Sequence, residues 1–187
     1  MKEIFKNEDK EEVCKEMLEI LKNNTTKVKF NNQNTNFYIF FNDTIFLTEK
    51  EKNKKIKIQD IWLVIAHECI HSIQSKILQW LNFILSNLEI ITFIFVIILK
   101  LFFKENNILT IKYILVLILS IILRLYLELN AIIGSFQLTN KYLLNKKTKE
   151  ERIKLFRYYK SKIIITLPLF VIGLFAFKIL RFILVII

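Results

Sequence analysis

The sequence predicts a mainly α-helical integral membrane protein, with about three transmembrane helices and a small N-terminal α+β portion on the cytoplasmic side. Three observations predict it. Of the 187 residues, 53% are hydrophobic and the mean hydropathy is +0.39, too apolar for an ordinary soluble domain. Leu, Ile and Phe fill long runs in the second half, and the whole chain holds two Gly and one Pro, so few turns are available and long helices are favoured. The net charge of +11 comes from lysines that cluster beside apolar segments, the distribution of a membrane protein rather than of a nucleic-acid binder.

The elements follow in chain order. Residues 8 to 22 set Val13, Met17, Leu18 and Leu21 at helical spacing among charges, which reads as a surface helix. The period then changes. Lys27 to Phe30, Phe37 to Phe41 and Thr44 to Thr48 are short and rich in aromatic and β-branched residues, and Asn42-Asp43 between the last two suits a β-hairpin. Residues 49 to 57 form a lysine-rich connection. Asp60 can cap a helix from Ile61 through Trp80, because its carboxylate can accept free amide protons of the first turn. Residues 1–59 are thus an N-terminal cytoplasmic portion and residues 60–187 a membrane core.

Apolar segments at 83 to 103, 108 to 127 and 163 to 187 are each close to the roughly 20 residues that cross a bilayer core of about 30 Å. Lys100, Arg124, Lys178 and Arg181 lie toward segment ends, where long cationic side chains snorkel to the interface. Glu89 lies inside the first segment. Basic residues are dense before Trp62 and from Lys141 to Lys162, and sparse between the first two segments, so both basic regions are expected in the cytoplasm. Met1 to Lys29 has no apolar core of the secretory kind, which keeps the N-terminus inside. The expected location is a bacterial cell membrane, multi-pass, with lipid as the first partner and no nucleic acid. Cys14 and Cys69 do not make a disulfide framework and favour a reducing compartment.

Chemistry enters at His67-Glu68-Cys69-Ile70-His71, an HExxH pattern inside a helical segment. Histidines four apart on an α-helix project from one face, close enough for both imidazoles to bind one ion, with zinc the default. Glu68, beside the ligands, is placed to take a proton from the attacking water as general base. Cys69 points away from the histidines and reads as packing. Gln74 shares the histidine face one turn on and is a candidate to orient a ligand.

The third ligand emerges by elimination. The chain has no further His, and Asp9, Asp43 and Asp60 all precede the motif, which leaves Glu89, Glu105, Glu128, Glu150 and Glu151. If the first two apolar segments form a hairpin, the chain leaves the cytoplasmic face after His71 and returns near Glu128. Glu105 then lies at the opposite face, and Glu150 and Glu151 sit in a basic run. Glu89 remains a rival on a continuing helix, and an ion pair with Arg124 is the competing role for Glu128. Ala131 and Ser135 share the Glu128 face and are small enough for close approach to the motif helix.

Ala66-His67-Glu68-Cys69-Ile70-His71-Ser72-Ile73-Gln74, followed after a membrane hairpin by Glu128-Leu129-Asn130-Ala131, resembles the YugP-like group of neutral zinc metallopeptidases. The resemblance runs loosely from Lys15 to Leu144. It implies a gluzincin-like helical membrane peptidase, with His67, His71 and Glu128 as zinc ligands and Glu68 as catalytic base. Ile70 and Ser72 stand where the family usually has Gly and Ala, Ile132 replaces a common Ser, and the usual N-terminal anchor is missing. The function expected is a zinc-dependent endopeptidase acting on a peptide or membrane-protein substrate at the cytoplasmic membrane face. The edge of the 37–48 hairpin is a candidate substrate-binding strand. Tyr38, Tyr126 and Tyr142 are candidates to stabilise the oxyanion. The alternative reading is a catalytically inactive membrane protein with structural or absent metal, acting through lipid or partner binding.

Overall fold

The computed structural model describes residues 10–48, 58–102 and 107–186. The lysine-rich connection 49–57, Asp9 and Glu105 lie outside the described residues. The chain is mainly helical with one small three-stranded sheet. In order the elements are α1 (Lys10–Ile20), β1 (Lys27–Asn31), β2 (Phe37–Ile39), β3 (Thr44–Thr48), α2 (Ile58–Ile73), α3 (Lys76–Phe102), α4 (Asn107–Leu143) and α5 (Lys149–Ile186).

Sheet order is β1-β3-β2, with β2 antiparallel to β3 as a hairpin requires and β1 added in parallel on the other side. β3 takes the centre because it is apolar on its core face: Ile45 and Leu47 are fully buried, and Thr44 and Thr48 nearly so. β2 ends two residues earlier than its apolar run suggests. The chain turns through Phe40–Asp43, and Asp43 adopts φ 50°, a left-handed conformation that Asp tolerates better than most residues. Its carboxylate accepts hydrogen bonds from the hydroxyls of Thr25, Thr26 and Tyr38 at 3.0, 2.9 and 2.7 Å, so one turn residue ties all three strands together.

The motif helix departs from expectation at both ends. It begins at Ile58, which puts Asp60 inside the first turn rather than at the cap. There the carboxylate still favours the positive end of the helix dipole, and it accepts the Tyr158 hydroxyl at 3.1 Å. The helix stops at Ile73 and a new one starts at Lys76, so residues 61–80 are not one helix.

By compactness the chain divides into two units, each discontinuous in sequence, which cut across the division expected at residue 59. One unit comprises 1–74 and 128–159, because α1 and the sheet bury their apolar faces on α2 and on the later part of α4. Its core includes Met17, Leu47, Trp62, Ile65, Leu138 and Tyr159. Cys14 and Cys69 meet in it, Sγ to Sγ at 3.7 Å, both fully buried. Their mutual hydrogen bond and burial hold the Cys69 thiol well above its ordinary range. Because both thiols are buried, and the reactive thiolate is further disfavoured at Cys69, neither cysteine is expected to alkylate in the native protein at neutral pH, and both should react once it is unfolded. Mass spectrometry after iodoacetamide treatment checks this.

The other unit comprises 75–127 and 160–187. Val96, Tyr113, Leu117 and Val185 form its small core. Two helices, Lys76–Phe102 and Ile108–Leu143, are long and apolar enough to cross a membrane. Their apolar stretches are mostly unburied, unlike the core helix of a soluble domain. The third expected segment lies within α5.

Candidate metal centre

The HExxH motif occupies the last two turns of α2, and its two histidines are about one helical turn apart. Their Nε2 atoms stand 3.1 Å from each other. Glu128 comes to them from α4: its Oε2 is 3.4 Å from His67 Nε2 and 3.6 Å from His71 Nε2. These three atoms form a triangle of nearly equal sides. An ion with tetrahedral bonds of about 2.0–2.1 Å would separate its donors by about 3.3 Å, so two imidazoles and one carboxylate fit zinc in spacing and in donor chemistry. The pair is half-buried, with side chains 21% and 18% exposed, against 6% for Glu128. A face of the site therefore reaches solvent, as a catalytic site needs.

Of the two carboxylates considered for the third position, Glu128 meets the histidines. Glu89 lies instead among Lys178, Arg181 and Tyr113 in the other unit.

Close approach of α4 to α2 depends on small side chains, as expected of Ala131 and Ser135, both buried. Gly134 matters as well. A Cβ there would stand 3.0 Å from the side chain of Ile70, so the absent methyl makes room for that bulky motif residue.

Behind the ligands runs a chain of hydrogen bonds. His71 Nδ1 lies 2.9 Å from Gln74 Oε1, and because an amide oxygen only accepts, Nδ1 carries a proton and Nε2 is the atom turned toward Glu128. Gln74 Nε2 in turn donates to Asn130 Oδ1 at 3.1 Å. Asn130 follows Glu128 by two positions, so this chain connects the two motifs. Removing the amide in Gln74→Ala is expected to weaken zinc binding about 10–100-fold without unfolding the protein. Competition with a fluorescent chelator, beside a thermal melt, checks it.

Glu68 sits beside the triangle, nearly buried. Burial raises its pKa, the two imidazoles oppose the rise and the Glu128 charge adds to it, while the Tyr38 backbone amide donates to its carboxylate. His71 shows the opposite balance. Burial disfavours its proton, but hydrogen bonding and charge from Glu128 outweigh burial and raise its pKa. A metal ion arriving at Nε2 would release that proton.

The Tyr38 amide has a second meaning. In an antiparallel strand, a residue whose N–H points away from its partner also turns its C=O away, so Tyr38 presents both groups on the outer edge of β2, beside Glu68. Sequence reasoning singled out the hairpin edge but not this contact. It also named three tyrosines. The Tyr38 hydroxyl binds Asp43, the Tyr142 hydroxyl accepts from Lys146 at 3.0 Å, and Tyr126 is exposed in the other unit.

A groove of about 320 Å³ opens along α2 and α4, lined by Ile70, Ile73, Ile133 and Gly134, with Asn130 and Lys141 as polar lining. Asn130 is thus shared by the groove and the ligand support. Comparison of the chain with models of known protein families, with curated proteins and with solved structures finds no match.

Proposed function

We propose that this chain is a membrane-bound zinc endopeptidase. The observation that carries the reading is the triangle of His67, His71 and Glu128, with Glu68 alongside. His67, His71 and Glu128 would hold the ion, which supplies Lewis-acid polarisation of a water and of the scissile carbonyl. Glu68 takes the proton of the attacking water. Its burial raises its affinity for that proton, which suits a base that must then deliver it to the leaving amine. The outer edge of β2 receives an extended substrate at the Tyr38 carbonyl, the Tyr38 amide being held by Glu68, and the Ile70–Ile133 groove takes an apolar side chain.

Membrane attachment is supported by the two long apolar helices α3 and α4, and we take α5 as a third span on this reading. The basic run from Lys141 to Lys162 favours the cytoplasmic side for the ends adjoining the site. The resemblance to YugP-like zinc metallopeptidases, carried by the two motifs, points the same way.

The test is direct. Full-length protein purified in detergent should contain about one zinc per chain, the number one ligand set implies. It should cleave an unfolded protein substrate, lose that activity to a chelator and regain it with zinc. Metal-free protein that cannot be loaded would sink the proposal.

A further inference from the structure

Glu89 is fully buried near the middle of α3, an apolar helix. Its partners come from α4 and α5. Arg181 grips it at two points, Nε to Oε1 and Nη2 to Oε2, each at 2.8 Å. Lys178 Nζ donates to Oε2 at 3.1 Å and to Ser120 Oγ at 2.8 Å, and the Tyr113 hydroxyl reaches Oε1 at 3.5 Å.

The charges in this cluster do not cancel. Two cations face one carboxylate, and among the described residues Glu89 is the only acid in contact with either. A net positive charge left in hydrocarbon is unfavourable unless an anion meets it. Nor is the surplus sealed inside. The Arg181 side chain is 23% exposed, and its Nη1 donates to none of the described residues. Arg181 belongs to a stripe with Phe177, Leu180 and Leu184, which at 74%, 52% and 50% exposure form an open apolar ridge around it. The spacing is that of a helix-packing face.

We propose that this stripe of α5 docks a helix of another membrane protein that carries one aspartate or glutamate within its apolar span. The proposal rests on the membrane reading above, not on the peptidase chemistry. Such a helix would cover the ridge and supply the missing charge at the same place. A second copy of this chain cannot supply it, because Glu89 is the only acid within 76–102, 108–127 and 163–186 and is already enclosed. A lipid phosphate is the competing anion, and vesicle composition distinguishes it from a helix carboxylate.

The experiment uses the full chain in phosphatidylcholine vesicles at about pH 8, where carboxylates in water are ionised. Two synthetic oligoleucine transmembrane peptides, alike except for a central Glu or Gln, are tested for association by energy transfer. The Glu peptide is expected to bind about tenfold more tightly, the scale of a net interhelical polar contact. Arg181→Gln should remove the preference, Arg181→Lys should retain it and Glu89→Gln should enlarge it. The comparison of peptides on the wild-type chain stands even if a variant misfolds. Equal binding of the two peptides to the wild type overturns the proposal. So does a preference abolished by adding phosphatidylglycerol, which assigns the site to lipid, or self-association of the chain that Arg181→Gln abolishes, which assigns it to a second copy. Protein that is stripped from the vesicles by alkaline carbonate overturns the membrane reading instead.

Discussion

With Glu68→Gln, peptide hydrolysis is expected to fall by about 10²–10⁴-fold or more while the chain still binds its metal. Glutamine has nearly the shape of glutamate and still accepts a hydrogen bond from the Tyr38 amide, so the wall of the site persists. What disappears is the basic lone pair that takes the proton from water. Because Glu68 is not a member of the donor triangle, zinc content by mass spectrometry should match the wild type. Equal hydrolysis by the variant would remove Glu68 from the chemistry, and loss of metal would make it a ligand.

The second large effect belongs to Glu128. Glu128→Ala removes the one anionic donor and leaves two neutral imidazoles in a half-buried site. Metal affinity should drop by more than the roughly 10–100-fold that outer-shell substitutions cost, and hydrolysis should be lost with it. Glu89→Ala supplies the contrast. Its carboxylate lies among Lys178 and Arg181, so zinc binding is expected to persist while the fold of the apolar unit suffers from two cations left without their partner. Titration with zinc by calorimetry separates the two. Normal affinity in Glu128→Ala would overturn the ligand assignment.

Much of the site was legible because its signals are local. His67, Glu68 and His71 lie within about one helical turn, and helical spacing alone fixes which of them share a face. The choice of Glu128 needed a hairpin argument, but that argument used only the lengths of apolar runs. What sequence could not supply were pairings between distant polar residues. Gln74 and Asn130 are 56 positions apart and either could have faced water. The addition of β1 to β3 in parallel was hidden for a similar reason: a hairpin announces itself through its turn, whereas Lys27↔Thr44 register depends on how the strands settle over α1 and α2. The break after Ile73 escaped because no Gly or Pro marks it, and apolar helical spacing continues on both sides. Glu89 was noticed as an oddity in its segment, yet the explanation lay in Lys178 and Arg181, 89 and 92 positions later.

The contact of Gly134 with Ile70 constrains the order in which this chain could change. The two positions are coupled: a methyl at 134 meets the isoleucine side chain at 3.0 Å, a contact that a glycine at 70 would not make. A lineage that acquired the isoleucine first, on a background already lacking a side chain opposite, would thereafter be held to glycine there, and a return would require shrinking the motif residue before enlarging its neighbour.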